Sequence, residues 1–133
     1  MASEGDKVNS RLIEFAIEAM ENAYAPYSDF KVGAALLSKN GKIYTGCNVE
    51  NASFGATNCA ERTAVFKAVS EGEREFEKIA IVSSSGDFTY PCGICRQVLA
   101  EFMKDGTIVL YSASDGIKEI EIKELIPYAF KLD

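Results

Sequence analysis

The sequence predicts an α/β fold, a mixed sheet with helices on its faces, and three observations carry that prediction. Two runs read as strands, Phe30 to Ser38 and Lys42 to Cys47, flank Asn40-Gly41, a strong hairpin signal because both residues tolerate positive φ. Further on, the apolar run Lys78 to Ser84, a helical pattern from Cys92 to Lys104 and the run Thr107 to Tyr111 follow one another. Strand, helix and strand in that order imply a parallel pair joined by a crossover helix. The third observation is size: 133 residues fit a single domain, taken as 1–133, with a core that needs no disulfides.

The elements follow in chain order. From Lys7 to Tyr24, Val8, Leu12, Phe15, Ala16, Ala19, Met20 and Ala23 recur on one face, the pattern of an amphipathic helix. Pro26 and the turn Tyr24 to Asp29 end it. In the first strand, Gly33 and Ala34 are small enough to admit a second backbone or a ligand. Asn48 to Asn58 is a polar loop without a period. A helix is expected from Cys59 to Glu71, with Val65, Phe66 and Val69 facing the core and Gly72 as its stop. The run Lys78 to Ser84 suits a strand covered on both faces. Ser85 to Tyr90 is a turn-rich loop, after which Pro91 opens a helix that turns Val98, Leu99 and Phe102 inward. After Tyr111 a hydrophilic segment leads to a short helix at Ile122 to Ile126 and a tail, Pro127 to Phe130. No internal repeat, low-complexity tract or linker interrupts the chain.

Composition narrows the function. A formal net charge of -6 with no basic run argues against a nucleic-acid partner, because affinity for phosphates needs clustered Lys and Arg. Met1 to Ser10 is polar and lacks the apolar centre of a signal peptide, and no apolar run reaches membrane-spanning length. The expectation is a cytoplasmic protein without a membrane partner. In that compartment thiols stay reduced, so clustered cysteines point to metal or redox chemistry.

The cysteines are indeed clustered. Cys59-Ala60-Glu61-Arg62 stands at one expected helix start and Pro91-Cys92-Gly93-Ile94-Cys95 at another. Catalytic zinc is commonly held by three protein ligands, with the fourth position left to water, and Cys59, Cys92 and Cys95 supply three. Glu61, two residues from Cys59, would lie within reach of that water to take and return a proton. The positive end of a helix favours thiolate over thiol at both places. Arg62 is assigned to a cysteine sulfur, where it offsets negative charge, with a surface ion pair as the alternative. A C-x-E followed by P-C-x-x-C is the recognised signature of zinc deaminases acting on nucleobases. The chain has no histidine, so such a site is all-cysteine. Plainer readings remain for each motif. The C-x-x-C alone suits a redox pair or half of a structural zinc knuckle, and Glu61 alone suits a helix-start acid. Cys47, which has no partner at knuckle spacing, reads as a small core residue.

With these residues in view, the chain closely resembles the small homotetrameric cytidine deaminases of pyrimidine salvage. The likeness runs through Tyr24-Ala-Pro-Tyr-Ser-Asp-Phe-Lys-Val-Gly-Ala-Ala35, Gly46-Cys-Asn-Val-Glu-Asn-Ala52, Asn58-Cys-Ala-Glu-Arg-Thr63, Pro91-Cys-Gly-Ile-Cys-Arg-Gln97 and Glu124-Leu-Ile-Pro127. The resemblance implies a three-layer α/β/α cytidine deaminase-like fold, a mixed sheet of about five strands between helices. It implies one zinc per chain on Cys59, Cys92 and Cys95, with Glu61 as proton shuttle. It also implies that Asn48 and Glu50 bind the ribose 3′-hydroxyl, that Phe30 packs beside the nucleoside, and that Ala52, Phe54 and Ala60 belong to the substrate-binding set. Phe130 matches a tail aromatic that, in this family, reaches a neighbouring subunit's site, so sites would be completed across a homotetramer. Phe54 departs from the family pattern, which has Tyr there, and so removes any contact made by that hydroxyl.

The activity implied is hydrolytic deamination of cytidine and deoxycytidine to the uridine products and ammonia. A free nucleoside is favoured because Glu50 can accept from a hydroxyl but would repel a phosphate attached to it. Read without the resemblance, Asn48 and Glu50 also suit a polar turn, and Phe30 and Phe130 suit core packing. The competing functions are a blasticidin-S-type deaminase, an RNA-editing deaminase and a non-catalytic zinc-stabilised binding module. A non-ribose sugar would give the Asn48–Glu50 pair no matching hydroxyl, and the acidic composition disfavours RNA.

Overall fold

The computed structural model describes residues 3–132; Met1 and Ala2, the beginning of the polar start read above, lie outside the described residues. Five strands form one sheet: β1 (Val32–Ser38), β2 (Ile43–Cys47), β3 (Phe76–Ser83), β4 (Thr107–Ser112) and β5 (Gly116–Glu121). Their order is β2-β1-β3-β4-β5, antiparallel throughout except for the parallel pair β3–β4. The helices are α1 (Glu4–Met20), α2 (Ala60–Ser70), α3 (Gly93–Phe102) and α4 (Ile122–Leu125). This is the mixed α/β sheet that the sequence predicts.

Side chains alternate across the pleat and sort the helices into layers. Ala35, Ala80, Val82 and Val109 face α1 and bury Leu12, Ile13 and Ala16. Their neighbours Ala34, Leu36, Ile79, Ile81, Ile108 and Leu110 face the other way, onto Ala60, Ala64, Val65 and Ala68 of α2 and Leu99 of α3. The two helices that begin at the cysteine motifs therefore lie side by side on one face of the sheet.

Local chemistry sets the boundaries. α1 opens on a capping box: Asp6 N–H donates to Ser3 Oγ (3.1 Å) and Ser3 N–H to Asp6 Oδ2 (3.2 Å). It ends at Met20, short of the expected Tyr24, whose N–H donates to Asn48 O (3.0 Å) in a bridge with Val49. The β1–β2 turn takes positive φ only at Gly41 (φ 92), and Ser38 N–H bonds Lys42 O across a three-residue loop. Gly72 (φ 101) stops α2.

Two expectations are corrected. Phe66 is exposed, because it lies on the face of α2 opposite the inward stripe of Ala60, Ala64 and Ala68 with Val65. The hydrophilic segment after Tyr111 contains strand β5, whose Lys118, Glu119 and Glu121 mask it in the sequence. Charge on an edge strand discourages pairing with other chains. β5 is tied to α1 by buried Asn9, which donates to Glu119 Oε1 (3.1 Å) and accepts from Lys78 Nζ (2.8 Å). Among the described residues no helix is long and apolar enough to cross a membrane.

Glycine sets the spacing on both faces. A Cβ on Gly46 would lie 2.5 Å from Ala60 O and 2.5 Å from Ala64 N in α2. One on Gly33 would collide with Ala16 O and lie 2.7 Å from Met20 N in α1. These are backbone atoms of packed helices, which cannot yield as a side-chain tip can. Gly33→Ala should cost about 3 kcal/mol or more, at the upper end of overpacking penalties. Urea unfolding of the variant beside the parent checks this, and an unchanged midpoint would show that α1 is free to move away.

Candidate active site

Cys59 and Cys92 occupy the same position in their helices, the N-cap, and Cys95 lies one turn into α3. Because both helices start on one face of the sheet, the three sulfurs converge. They lie within 4.8 Å of one another, and Cys59 Sγ and Cys92 Sγ are 3.6 Å apart. A tetrahedral zinc site with Zn–S of about 2.3 Å needs sulfurs about 3.8 Å apart. The cluster fits one such ion. Cys95 is buried, Cys59 half-buried and Cys92 exposed, so the site opens on the Cys92 side. Cys47 stands apart in β2, half-buried, and is not one of the clustered ligands.

Electrostatics favour an anionic sulfur at Cys59. Cys59 is pushed down to about 5, first by the hydrogen bond from Cys95, against burial, and then by its bonds to Arg62 and Cys92. Cys95 moves up, because it supplies that bond and is buried. Arg62 Nη2 donates to Cys59 Sγ at 3.1 Å, the sulfur contact expected from the sequence. Among the described residues no ion pair holds Arg62, and its buried Nε has no hydrogen-bond partner.

Glu61, in the first turn of α2, is 4% exposed. Its carboxyl is pushed up to about 7 by burial first and by the charge on Cys59, against its own backbone N–H and Arg62. Its charge in turn adds to the rise at Cys95. A carboxyl that titrates near neutrality can both accept and return a proton.

A second cluster is built on the segment 48–50. Asn48 is buried; its Oδ1 accepts from Val32 N–H (2.8 Å) and its Nδ2 donates to Phe30 O (2.8 Å). Glu50 Oε1 accepts from the N–H groups of Tyr27 (2.9 Å) and Ser28 (3.1 Å), and Oε2 accepts from the Ser28 hydroxyl. These bonds hold the Glu50 carboxyl below the usual carboxylate range, the Ser28 side chain contributing most. Val49, between them, forms an antiparallel bridge with Asn58, the residue before Cys59. One short segment thus couples the Asn48–Glu50 cluster to the sulfur cluster.

The remaining expected residues are placed as follows. Phe30 is partly exposed, its carbonyl held by Asn48. Ala52 is exposed, and Phe54 opens a 3-10 turn, 78% exposed, with its ring edge-on to Tyr27 at 6.2 Å. Ala60 is fully buried against the sheet. Phe130 is 69% exposed at the tail, where its carbonyl accepts from Gln97 Nε2 (3.0 Å) of α3. It borders a groove of about 900 Å³ between α3 and the tail, which does not include the cysteines or Glu50. The sequence reading did not single out Ser28 and Tyr27. Their only signal was the turn Pro26-Tyr-Ser-Asp29, whose Asp29 adopts φ 56.

Three converging cysteines with a buried glutamate at a helix start, on a mixed sheet between helices, form the kind of cluster that can hold a zinc ion. Comparison with known proteins specifies it. The cytidine and deoxycytidylate deaminase zinc-binding region matches residues 6–112. A cytidine deaminase of Halalkalibacterium halodurans is 53% identical over 120 residues, covering 90% of this chain and 91% of that one. One from Sporosarcina psychrophila is 49% identical over 122 residues, covering 90% and 89%. The crystal structure of cytidine deaminase from Burkholderia pseudomallei superposes with a TM-score of 0.86 at 48% identity, over 91% of this chain and 98% of that one. The chain belongs to the cytidine deaminase family, and its fold and activity are those of a zinc-dependent cytidine deaminase.

Proposed function

We propose that Cys59, Cys92 and Cys95 hold the zinc and that Glu61 carries protons through the hydrolysis of cytidine and deoxycytidine. The observation that carries this assignment is a buried Glu61 in the first turn of the helix that Cys59 begins, with three sulfurs converging at that helix start. Bound there, zinc supplies a Lewis acid that lowers the pKa of a coordinated water. Glu61 takes a proton from the attacking water and delivers it to ring N3. As the water oxygen bonds C4, Glu61 takes the second proton from the new C4 hydroxyl and passes it to the amine. The C4–N bond breaks, C4=O forms, and water and cytidine become uridine and ammonia. Arg62 spreads the negative charge of three thiolates, which would otherwise weaken the metal as an acid.

Asn48 and Glu50 serve the sugar, with Phe30, Ala52, Phe54 and Ala60 in the substrate-binding set. Glu50, held as an anion, accepts from a 3′-hydroxyl and repels a 3′-phosphate, which selects free nucleosides over polynucleotides. The assignment extends to a cytoplasmic homotetramer in which Phe130 completes a neighbour's site. Support for this is a tail aromatic that lies exposed beside α3. It also treats residues 1–133 as one domain, supported by the one sheet that joins all five strands.

Metal content and product release on one purified sample test the proposal. The expected result is one zinc per chain with equal amounts of uridine and ammonia from cytidine, unaffected by excess RNA. Zinc without ammonia would indicate a binding module, and ammonia from blasticidin S alone would indicate an antibiotic deaminase.

A further inference from the structure

We propose that Ser28 is a positioning residue for Glu50: its hydroxyl, anchored to the Phe30 backbone, turns one free acceptor position of the carboxylate toward the nucleoside. The inference rests on the sugar-binding assignment of Glu50 made above.

Counting donors and acceptors leads there. An ionised carboxylate offers about four lone-pair positions, two per oxygen. Glu50 Oε1 uses both of its positions on the N–H groups of Tyr27 and Ser28. Oε2 uses one on the Ser28 hydroxyl. A single position remains, on Oε2, the number that one sugar hydroxyl requires.

The direction of the Ser28 proton is also fixed. Ser28 Oγ accepts from Phe30 N–H at 3.1 Å, so its own hydrogen is free to point at Glu50. The turn that presents these groups is held at both ends. Asp29 N–H bonds Ala25 O (3.0 Å), and Glu50 N–H bonds Tyr24 O (2.8 Å). Phe30 is gripped on both sides, its N–H by Ser28 and its carbonyl by Asn48. Asp29, at φ 56, lies in the left-handed region that non-glycine residues rarely adopt, which indicates a turn held by its surroundings. One hydroxyl therefore links the aromatic expected beside the nucleoside to the carboxylate expected to bind its sugar.

Without that hydroxyl, Oε2 would have two open positions and the carboxylate would lose one of the three bonds that set its rotation. The predicted loss concerns recognition of the 3′-hydroxyl and leaves the chemistry at the ring untouched. Steady-state kinetics of Ser28→Ala on cytidine and on 3′-deoxycytidine test this. On cytidine, KM should rise about tenfold with kcat held within about twofold, the scale of one charge-assisted hydrogen bond. On 3′-deoxycytidine, parent and variant should agree within about twofold, and Ser28→Thr should recover the parent KM on cytidine. Equal losses on both substrates, a fall in kcat, or no effect on cytidine would overturn the role of Ser28. Glu50→Gln separates the two layers of the argument. Should it impair both substrates alike, the sugar assignment itself fails; should it impair cytidine alone, that assignment stands whatever Ser28 does.

Discussion

Glu61→Gln should lower kcat on cytidine about a thousandfold or more while zinc stays at one per chain. The amide keeps the size of the side chain and removes its ability to cycle a proton. Positioned acid–base groups commonly contribute 10²–10⁴-fold, and here one group serves the water, the ring nitrogen and the leaving amine. The setting explains why a glutamate can do all three. Burial raises its carboxyl toward neutrality, which favours a group that both takes and returns a proton. Glu61 lies in the helix turn that Cys59 caps, and that link between ligand and base forms with α2 itself. A variant with turnover near the parent would remove Glu61 from the reaction. A variant without zinc would assign the carboxylate to holding the site together.

Cys95→Ala should have an effect as large, through the metal. Cys95 is the buried member of the cluster. Removal leaves two sulfurs, too few for the three-ligand sites that zinc enzymes use. Zinc should fall well below one per chain, activity should be lost, and the melting temperature should drop, because metal affinity is in part folding free energy. Cys47→Ala is the internal comparison. Cys47 lies in β2 outside the cluster, so that variant should keep zinc and turnover. Loss of zinc from both variants alike would mean that a four-cysteine structural site had been mistaken for a catalytic one.

The parts of the molecule that were legible in the sequence are those whose local chemistry leaves little choice. Asn40-Gly41 between apolar runs forms the β1–β2 hairpin, although only Gly41 takes positive φ. Cys59 and Cys92 fall where helices begin, and the order β3–α3–β4 brings those beginnings to one face. β5 was hidden because an exposed edge strand carries charges where a buried one carries apolar residues. Phe66 sits opposite the buried face, which is marked by small alanines that carry less apolar signal than the large side chains of Val65, Phe66 and Val69. Gly46 packs directly against Ala60 and Ala64 of that face. Ser28 went unremarked for another reason. Its partners are set by a turn with a left-handed Asp29, and no hydrophobic pattern or motif spacing encodes that arrangement.

X-ray absorption at the zinc edge on the purified protein tests the account most directly. It should show three sulfur scatterers at about 2.3 Å and one oxygen or nitrogen, the shell that leaves room for a reacting water. Four sulfurs, or fewer than three, would contradict it.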